Sequence, residues 1–246
     1  MSSEIKNLNN FLSEFAKRYD QFEVVKGDIA ALHDAKLSHT EFIYVLDFAL
    51  NAITFAKGMK EFLGFDDGKM SIEKYLGLIH PQDGDLVAKI GKESILHSFA
   101  NPNHNGDDVL YLSFRIKNKE GDYLKVLSQS SVFELDMDGN MISSLVKVSD
   151  LSFMEDNEVV KYKFLAANLN EEEFRKKVFG GMYDLFTSRE LDIIKEINNG
   201  HSNTEIGKIL GISMHTVSTH RKKIMKKSGC HSAQELLLFC RKNGVL

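Results

Sequence analysis

The C-terminal part of this chain repeats a start signal for short helices. A hydroxyl residue is followed three positions later by glutamate in Thr187 with Glu190, Ser202 with Glu205, and Ser232 with Glu235. This is capping-box spacing, in which the two side chains satisfy N–H groups at a helix start. With Ser213 as a further cap and glycines between the segments, the pattern predicts four helices, at 188–198, 203–210, 214–228 and 233–242.

The connection between the second and third predicted helices is only three residues long. Gly211, Ile212 and Ser213 separate them, and a short turn containing glycine is typical of a helix-turn-helix. We expect Ile212 to fill the angle between the two helices. Gly207 lies inside the second helix, where glycine costs about 1 kcal/mol relative to alanine, so we expect that helix to be soft.

The third predicted helix is strongly basic. Residues 211–227 contain five Lys and Arg and no acidic residue, although the formal net charge of the chain is −4. Residues 184–246 carry ten Lys and Arg against six Asp and Glu, whereas residues 1–183 carry 21 against 29. This asymmetry predicts a basic binding module attached to an acidic domain.

The spacing of Val217 and Ile224 predicts the buried face of the third helix, which leaves a polar face for a partner. A helix of this diameter fits the major groove of B-DNA, where Ser218, Thr219 and Lys222 could reach base edges. The residues suited to flanking phosphates are Arg221, Lys223, Lys226 and Lys227. The alternative is a basic helix that faces only solvent.

Residues 186–237 resemble the LuxR/GerE-type helix-turn-helix domain. The matching residues are Thr187, Arg189, Glu190, Gly200, Ser202, Asn203, Glu205, Ile206, Leu210, Ile212, Ser213, Thr216, Val217, His220, Ile224 and Lys227. The resemblance implies that the third helix reads DNA, with Ser218, Thr219 and Lys222 near bases and Thr216, Arg221 and Lys226 near the backbone. Ser218 stands where many members have lysine, so the target sequence does not carry over.

Histidines near this helix do not form a metal motif. His215 and His220 are five positions apart, whereas helical zinc pairs use i, i+4 spacing. We expect no metal site, and we expect His220 to pack under the helix or to contact a phosphate.

Residues 40–152 have an α+β pattern: two short strands, a helical region, then three longer strands at 109–117, 123–133 and 141–148 linked by tight turns. This order predicts an antiparallel sheet with helices. It resembles the PAS sensor fold, as do Ile79-His80-Pro81-Gln82-Asp83 and the hairpin at 119–123. The resemblance implies a sensor with an apolar pocket or a protein-contacting surface. The residues identify neither the small-molecule ligand nor a cofactor.

The remaining segments complete a four-part organisation. Residues 1–39 form a lead-in with an amphipathic helix at 4–19, which would either cover the sensor or form a dimer seam. Residues 153–183 read as a helical connector, and residues 184–246 as the DNA-binding domain. Two cysteines without a pairing framework, and no signal or membrane-spanning segment, predict a cytoplasmic protein with no membrane partner.

Together these patterns predict a homodimeric transcriptional regulator rather than an enzyme, since no catalytic motif is present. Its expected partners are double-stranded DNA, a second copy and a small molecule in the PAS-like domain, with RNA polymerase as a further candidate. Two alternatives stay open. One is a phosphorylation-controlled response regulator, whose receiver domain would have a parallel sheet; the other is a small-molecule-binding protein whose basic module contacts a protein.

Overall fold

The computed structural model describes residues 3–17, 24–25, 27–102, 108–154, 159–180 and 185–246. The chain divides into two compact units, Met1–Leu169 (unit 1) and Asn170–Leu246 (unit 2). No helix among the described residues is long and apolar enough to span a membrane.

Unit 1 is built on one antiparallel sheet. Its described strands are β1 (Val24–Val25), β2 (Glu41–Asp47), β3 (Ala52–Lys57), β4 (Val109–Lys117), β5 (Tyr123–Asp136), β6 (Met141–Asp150) and β7 (Lys161–Leu165). Their order is β3-β2-β6-β5-β4-β7, with β1 paired to β5, and every described pair is antiparallel. The predicted antiparallel arrangement of two strands and three strands is therefore confirmed, as is the α+β fold class.

The helices of unit 1 lie between and beside these strands. They are α1 (Ser3–Ala16), α2 (Ile29–Asp34), α3 (Met59–Leu63), α4 (Ile72–Gly77) and α5 (Pro81–Ala100). Pro81 is the first residue of α5, where its missing N–H is not needed, and the His80 side chain caps the helix. Asp83 in the first turn is buried and forms an ion pair with Arg115 of β4 at 2.5 Å. This pair fixes α5 against the sheet.

Helix α1 packs on unit 1 itself. Ile5, Leu12 and Phe15 are buried, and the Phe15 ring meets Phe99 of α5 edge to face at 4.2 Å between centroids. The apolar stripe predicted from the sequence thus packs against α5 of unit 1, which agrees with the first of its two interpretations.

The prediction of a helical connector at 153–183 is wrong for its first half. Lys161–Leu165 is the edge strand β7, which pairs with β4 and buries Phe164. Helix α6 covers only Glu171–Phe179, beginning after Asn170, whose side chain accepts a hydrogen bond from the Glu173 N–H at 3.1 Å. The strand was not predicted because the segment is rich in charged residues and its partner strand, β4, lies about 50 residues away in the sequence.

Unit 2 contains α6 and the four predicted helices. These are α7 (Ser188–Asn198), α8 (Asn203–Leu210), α9 (Met214–Ser228) and α10 (Ala233–Lys242). Their shared core is formed by the buried residues Phe186, Ile193, Ile194, Ile197, Ile206, Val217, Ile224, Cys230, Leu236 and Cys240. Burying one such aliphatic side chain contributes about 1.5–3 kcal/mol, so this cluster holds four short helices that would be marginal alone.

Two of the three predicted capping boxes are complete. Thr187 with Glu190 and Ser202 with Glu205 exchange both hydrogen bonds. Ser232 caps the Glu235 N–H at 3.1 Å, but the Glu235 carboxylate accepts from the His231 N–H instead. In the third box the glutamate therefore accepts from the N–H of the residue before the cap and not from the N–H of the cap itself.

Candidate functional site

The turn between α8 and α9 fixes how α9 is presented. Gly211 ends α8 in the left-handed region at φ 66°, a conformation that favours glycine. The Ile212 N–H then donates to the Gly207 carbonyl at 2.9 Å, and Ile212 packs against the core of unit 2 as predicted. The Ser213 side chain accepts from the Thr216 N–H at 3.0 Å and starts α9.

Gly207 has a packing role that the sequence did not reveal. A Cβ at this position would lie 2.7 Å from the Ile212 carbonyl oxygen and 3.3 Å from the Met214 nitrogen. The expectation of a soft second helix is therefore incomplete, because the missing side chain lets the turn backbone lie directly against α8.

The inner face of α9 is held by packing and by one ion pair, whose carboxylate is buried. Val217 and Ile224 have no solvent exposure. Lys227, in the last turn, donates to Glu190 of α7 at 2.5 Å. Glu190 is only 2% exposed. Burial raises its pKa, but the hydrogen bonds from Lys227 and Thr187 outweigh this effect and hold the pKa below its ordinary value. Lys227 thus stabilises the domain through its pair with Glu190, although its own side chain is 35% exposed.

The outer face of α9 carries unpaired positive charge. Lys222, Lys223 and Lys226 are exposed, and no carboxylate of the described residues lies within ion-pair distance of them. Thr216 and Thr219 are exposed on the preceding turns, where the Thr219 hydroxyl donates to the His215 carbonyl at 3.1 Å. The structure therefore brings five of the seven predicted contact residues to one open surface, which we call the lysine face.

Ser218 and Arg221 lie elsewhere, in a contact with α8. Both are half-buried. The Asn203 amide nitrogen donates to Ser218 Oγ at 3.1 Å, and Arg221 Nη1 donates to Asn203 Oδ1 at 2.9 Å. Burial lowers the pKa of Arg221, although a guanidinium remains charged near neutral pH. Asn203 matched the family pattern, but nothing in the sequence indicated that it would contact these two residues.

Histidines in this unit form no described metal centre. No group of three or more His, Cys, Asp or Glu in the described part of the chain could hold a metal ion. His220 is a half-buried residue of α9. Its Nδ1 atom is buried and has no hydrogen-bond partner among the described residues. This placement agrees with the interpretation of His220 as a packing residue.

Unit 1 contains an apolar cavity between the sheet, α4, α5 and α1. Its volume is about 130 Å³, close to that of an engineered cavity of about 150 Å³ that binds benzene. No acidic or basic side chain is among its lining residues, and its polar lining groups are the hydroxyls of Tyr44, Tyr75, Ser94, Ser128, Ser130 and Ser144. Such a lining suits a small uncharged molecule.

Two tyrosines give the cavity its polar end. The rings of Tyr44 and Tyr75 lie 5.0 Å apart between centroids. Both side chains are buried, and burial raises the pKa of Tyr44 to about 12 and that of Tyr75 well above its ordinary value. The phenols are therefore neutral. The Tyr44 hydroxyl also raises the pKa of Tyr75, but no contact of Tyr75 Oη with a described residue has good hydrogen-bond geometry, which leaves this buried phenol incompletely satisfied.

Comparisons with known proteins give a clear match for part of unit 2. Residues 184–240 match the family model "GerE: Bacterial regulatory proteins, luxR family". The "Uncharacterized response regulatory protein YgeK" of Escherichia coli is 44% identical over 59 residues, which cover 24% of this chain and 40% of that protein. The chain matches only 29–40% of the length of the first three curated relatives.

Solved structures show more distant similarities. The N-terminal domain of a Marinobacter aquaeolei diguanylate cyclase with a PAS/PAC sensor has 18% identity and a TM-score of 0.38, covering 46% of this chain and 96% of that one. The Vibrio cholerae VqmA–ligand–DNA complex has 14% identity and a TM-score of 0.34, covering 89% and 87%.

The capped helices, the three-residue turn and the family match agree on the same residues. This chain therefore carries, at residues 184–240, a GerE-type helix-turn-helix domain of the luxR family of bacterial regulatory proteins.

Proposed function

We propose that this protein is a transcriptional regulator that binds double-stranded DNA through α9. The observation that carries the proposal is the lysine face: three exposed lysines of one helix have no described carboxylate partner, whereas Lys227 of the same helix pairs with Glu190 and Arg221 donates to Asn203. A face of one charge sign that the protein leaves uncompensated suits the phosphates of a nucleic acid.

The geometry of α9 supports the major groove as its position. The first turn of α9 contains no acidic residue, so its free N–H groups and the helix dipole can favour a phosphate. Thr219 and Lys222 lie one turn apart on the outer side, where they can approach base edges, while Thr216, Lys223 and Lys226 flank them near the backbone.

We also propose that the active form is a homodimer. A single helix of 15 residues contacts few base pairs, whereas paired helices can read two half-sites about one helical turn apart. Sedimentation of the purified protein with and without its DNA site tests this, and a monomer in both conditions would contradict it.

Alanine variants of two lysines test the placement of α9. Lys226→Ala should weaken binding to all sequences alike and lower the salt slope by about one, because one phosphate contact is lost. Lys222→Ala should also relax specificity, with a cost of about 1–3 kcal/mol on the preferred site. Lys195→Ala, an exposed lysine on α7, is the matched control. If both α9 variants bind like this control, α9 does not contact DNA.

We propose that the cavity of unit 1 binds the signal, a neutral molecule about the size of one aromatic ring. Its support is the uncharged lining together with the incompletely satisfied Tyr75 Oη beside Tyr44. A ligand that forms a well-aligned hydrogen bond with this phenol would gain about 0.5–1.5 kcal/mol.

Thermal unfolding with matched fragments tests this ligand class. Benzyl alcohol at ten times its dissociation constant should stabilise unit 1 by about 1.4 kcal/mol, and the anionic benzoate should not, because its charge would be buried without a partner. Tyr75→Phe should weaken the effect of benzyl alcohol and change the stability of the unliganded protein by less than about 1 kcal/mol, because Tyr75 Oη makes only a poorly aligned contact with the Tyr44 hydroxyl. Equal effects from both compounds, or none from the neutral ring, would contradict the proposal.

The response-regulator alternative has less support. A receiver domain requires parallel strands, whereas each described strand pair of unit 1 is antiparallel. Incubation with acetyl phosphate should therefore leave the protein unmodified, and a stable aspartyl phosphate would restore that alternative.

A further inference from the structure

Asn203 uses both ends of its amide to contact α9. It is the first residue of α8, where its Nδ2 donates to Ser218 Oγ at 3.1 Å and its Oδ1 accepts from Arg221 Nη1 at 2.9 Å. Ser218 and Arg221 are three positions apart and so lie on the same side of α9. One neutral side chain thereby binds two residues that the family resemblance places at the DNA.

This contact leaves the positive charge of Arg221 uncompensated. Its partner is an amide, and the carboxylate in the first turn of α8, Glu205, already accepts hydrogen bonds from the Ser202 N–H at 2.8 Å and hydroxyl at 2.7 Å. A guanidinium has five N–H donors, of which the described contacts use one. Arg221 is therefore held in place yet still able to bind an anion.

The same contact changes the role expected for Ser218. Its hydroxyl accepts from Asn203 and is half-buried between the helices. A side chain used in this way orients a neighbour and does not itself reach a base edge.

We propose that Asn203 is a positioning residue for DNA recognition, which holds Arg221 in the conformation that meets the DNA backbone and withdraws Ser218 from base reading. This inference rests on the proposed function of α9. Immobilising a long side chain before binding avoids an ordering cost of about 0.5–1.5 kcal/mol, so loss of Asn203 should weaken binding about 2- to 12-fold.

Two substitutions of Asn203 distinguish the positioning of Arg221 from a purely structural role at the start of α8. Alanine at 203 would free Arg221 but keep its charge, and aspartate would pair with Arg221 and neutralise it. The two variants therefore differ in their effect on the salt dependence of DNA binding, although both lose the N–H donor that Asn203 gives to Ser218 Oγ.

The test is a double-mutant cycle with the full chain on a duplex selected by the wild-type protein, titrated between 50 and about 300 mM salt. Asn203→Ala should weaken binding about 2- to 12-fold with an unchanged salt slope, and Asn203→Asp should lower the slope by about one. Arg221→Ala should also lower the slope by about one, and adding Asn203→Ala to it should cause no further loss.

The outcomes separate this inference from the proposed function. If the losses from Asn203→Ala and Arg221→Ala add, or if Asn203→Asp keeps the wild-type slope, Asn203 does not act through Arg221 and the inference is overturned. If the wild-type protein selects and binds no duplex, the proposed function itself fails. Urea unfolding of each variant measures destabilisation. A binding loss that follows destabilisation by Asn203→Ala would also occur in the Arg221→Ala background, whereas a loss of positioning would not.

Discussion

Removing the charge of Lys227 while keeping its alkyl chain should destabilise unit 2 even when no DNA is bound. Lys227→Met leaves Glu190 buried at 2% exposure without its ion-pair partner. Breaking a fully buried pair typically costs about 3–5 kcal/mol, but the Lys227 side chain is 35% exposed, so water screens this pair and the cost is smaller. Glu190 keeps its hydrogen bonds from the Thr187 N–H at 2.9 Å and hydroxyl at 3.1 Å, so we expect a loss of about 2–3 kcal/mol.

Hydrogen exchange in the full chain measures this loss where it occurs. The amides of α7 and α9 should exchange about 30- to 160-fold faster in the variant, because each 1.4 kcal/mol corresponds to a factor of ten. Lys226→Met is the matched control, since Lys226 is the preceding residue and is exposed with no described partner. The control should stay within about 0.5 kcal/mol of the wild type. Equal exchange in both variants would refute the role assigned to this ion pair.

The pH dependence of this variant has a defined sign. In the wild type the pKa of Glu190 lies below its ordinary value of 4.5, so its contribution to stability is present above pH 4.5 and is lost as the pH falls through the folded-state pKa. In Lys227→Met the hydrogen bond from the lysine is lost, so burial has a larger share in the pKa of Glu190 and this pKa rises. The penalty of the variant is then greatest near neutral pH and decreases as Glu190 is protonated. A penalty that grows on acidification would contradict this.

Three further changes test other parts of the structure by urea unfolding. Ile224→Ala, at a site with no exposure, should cost about 2–5 kcal/mol through the cavity it creates, and a cost below 1 kcal/mol would contradict its place in the core. Ser202→Ala should cost about 0.5–2 kcal/mol because it opens a complete capping box, and more than Ser232→Ala, whose box is incomplete; the reverse order would refute this reading. Asp83→Ala should destabilise unit 1 by about 3–5 kcal/mol because it leaves Arg115 without its 2.5 Å partner, and an unchanged unfolding midpoint would refute it.

Local signals explain why much of the fold could be predicted from the sequence. The bounds predicted for the four helices of the C-terminal domain agree with the structure, since caps such as Thr187 and Ser202 act within three residues. The predicted bounds of strand β4 also agree with the structure, because both the alternation of apolar and polar residues and the turn to β5 can be recognised from consecutive residues.

Interactions between distant residues explain what could not be predicted. Strand β7 depends on pairing with β4 across about 50 residues, and the pair of Glu190 with Lys227 joins positions 37 apart. The link from Asn203 to Arg221 depends on how α8 crosses α9. Sequence patterns with periods of two or 3.6 residues contain no information on such pairings. The sequence therefore indicated the basic character of α9 but not the pairing of Lys227 with Glu190.

Selection of genomic DNA fragments by the purified protein at near-physiological salt tests the central claim most directly. The account predicts enrichment of a two-fold symmetric site whose half-sites lie about one helical turn apart. It also predicts that a Lys222→Ala, Lys226→Ala double variant loses this enrichment. Enrichment that survives unchanged in the double variant, or no enriched sequence under any condition, would contradict DNA recognition by α9.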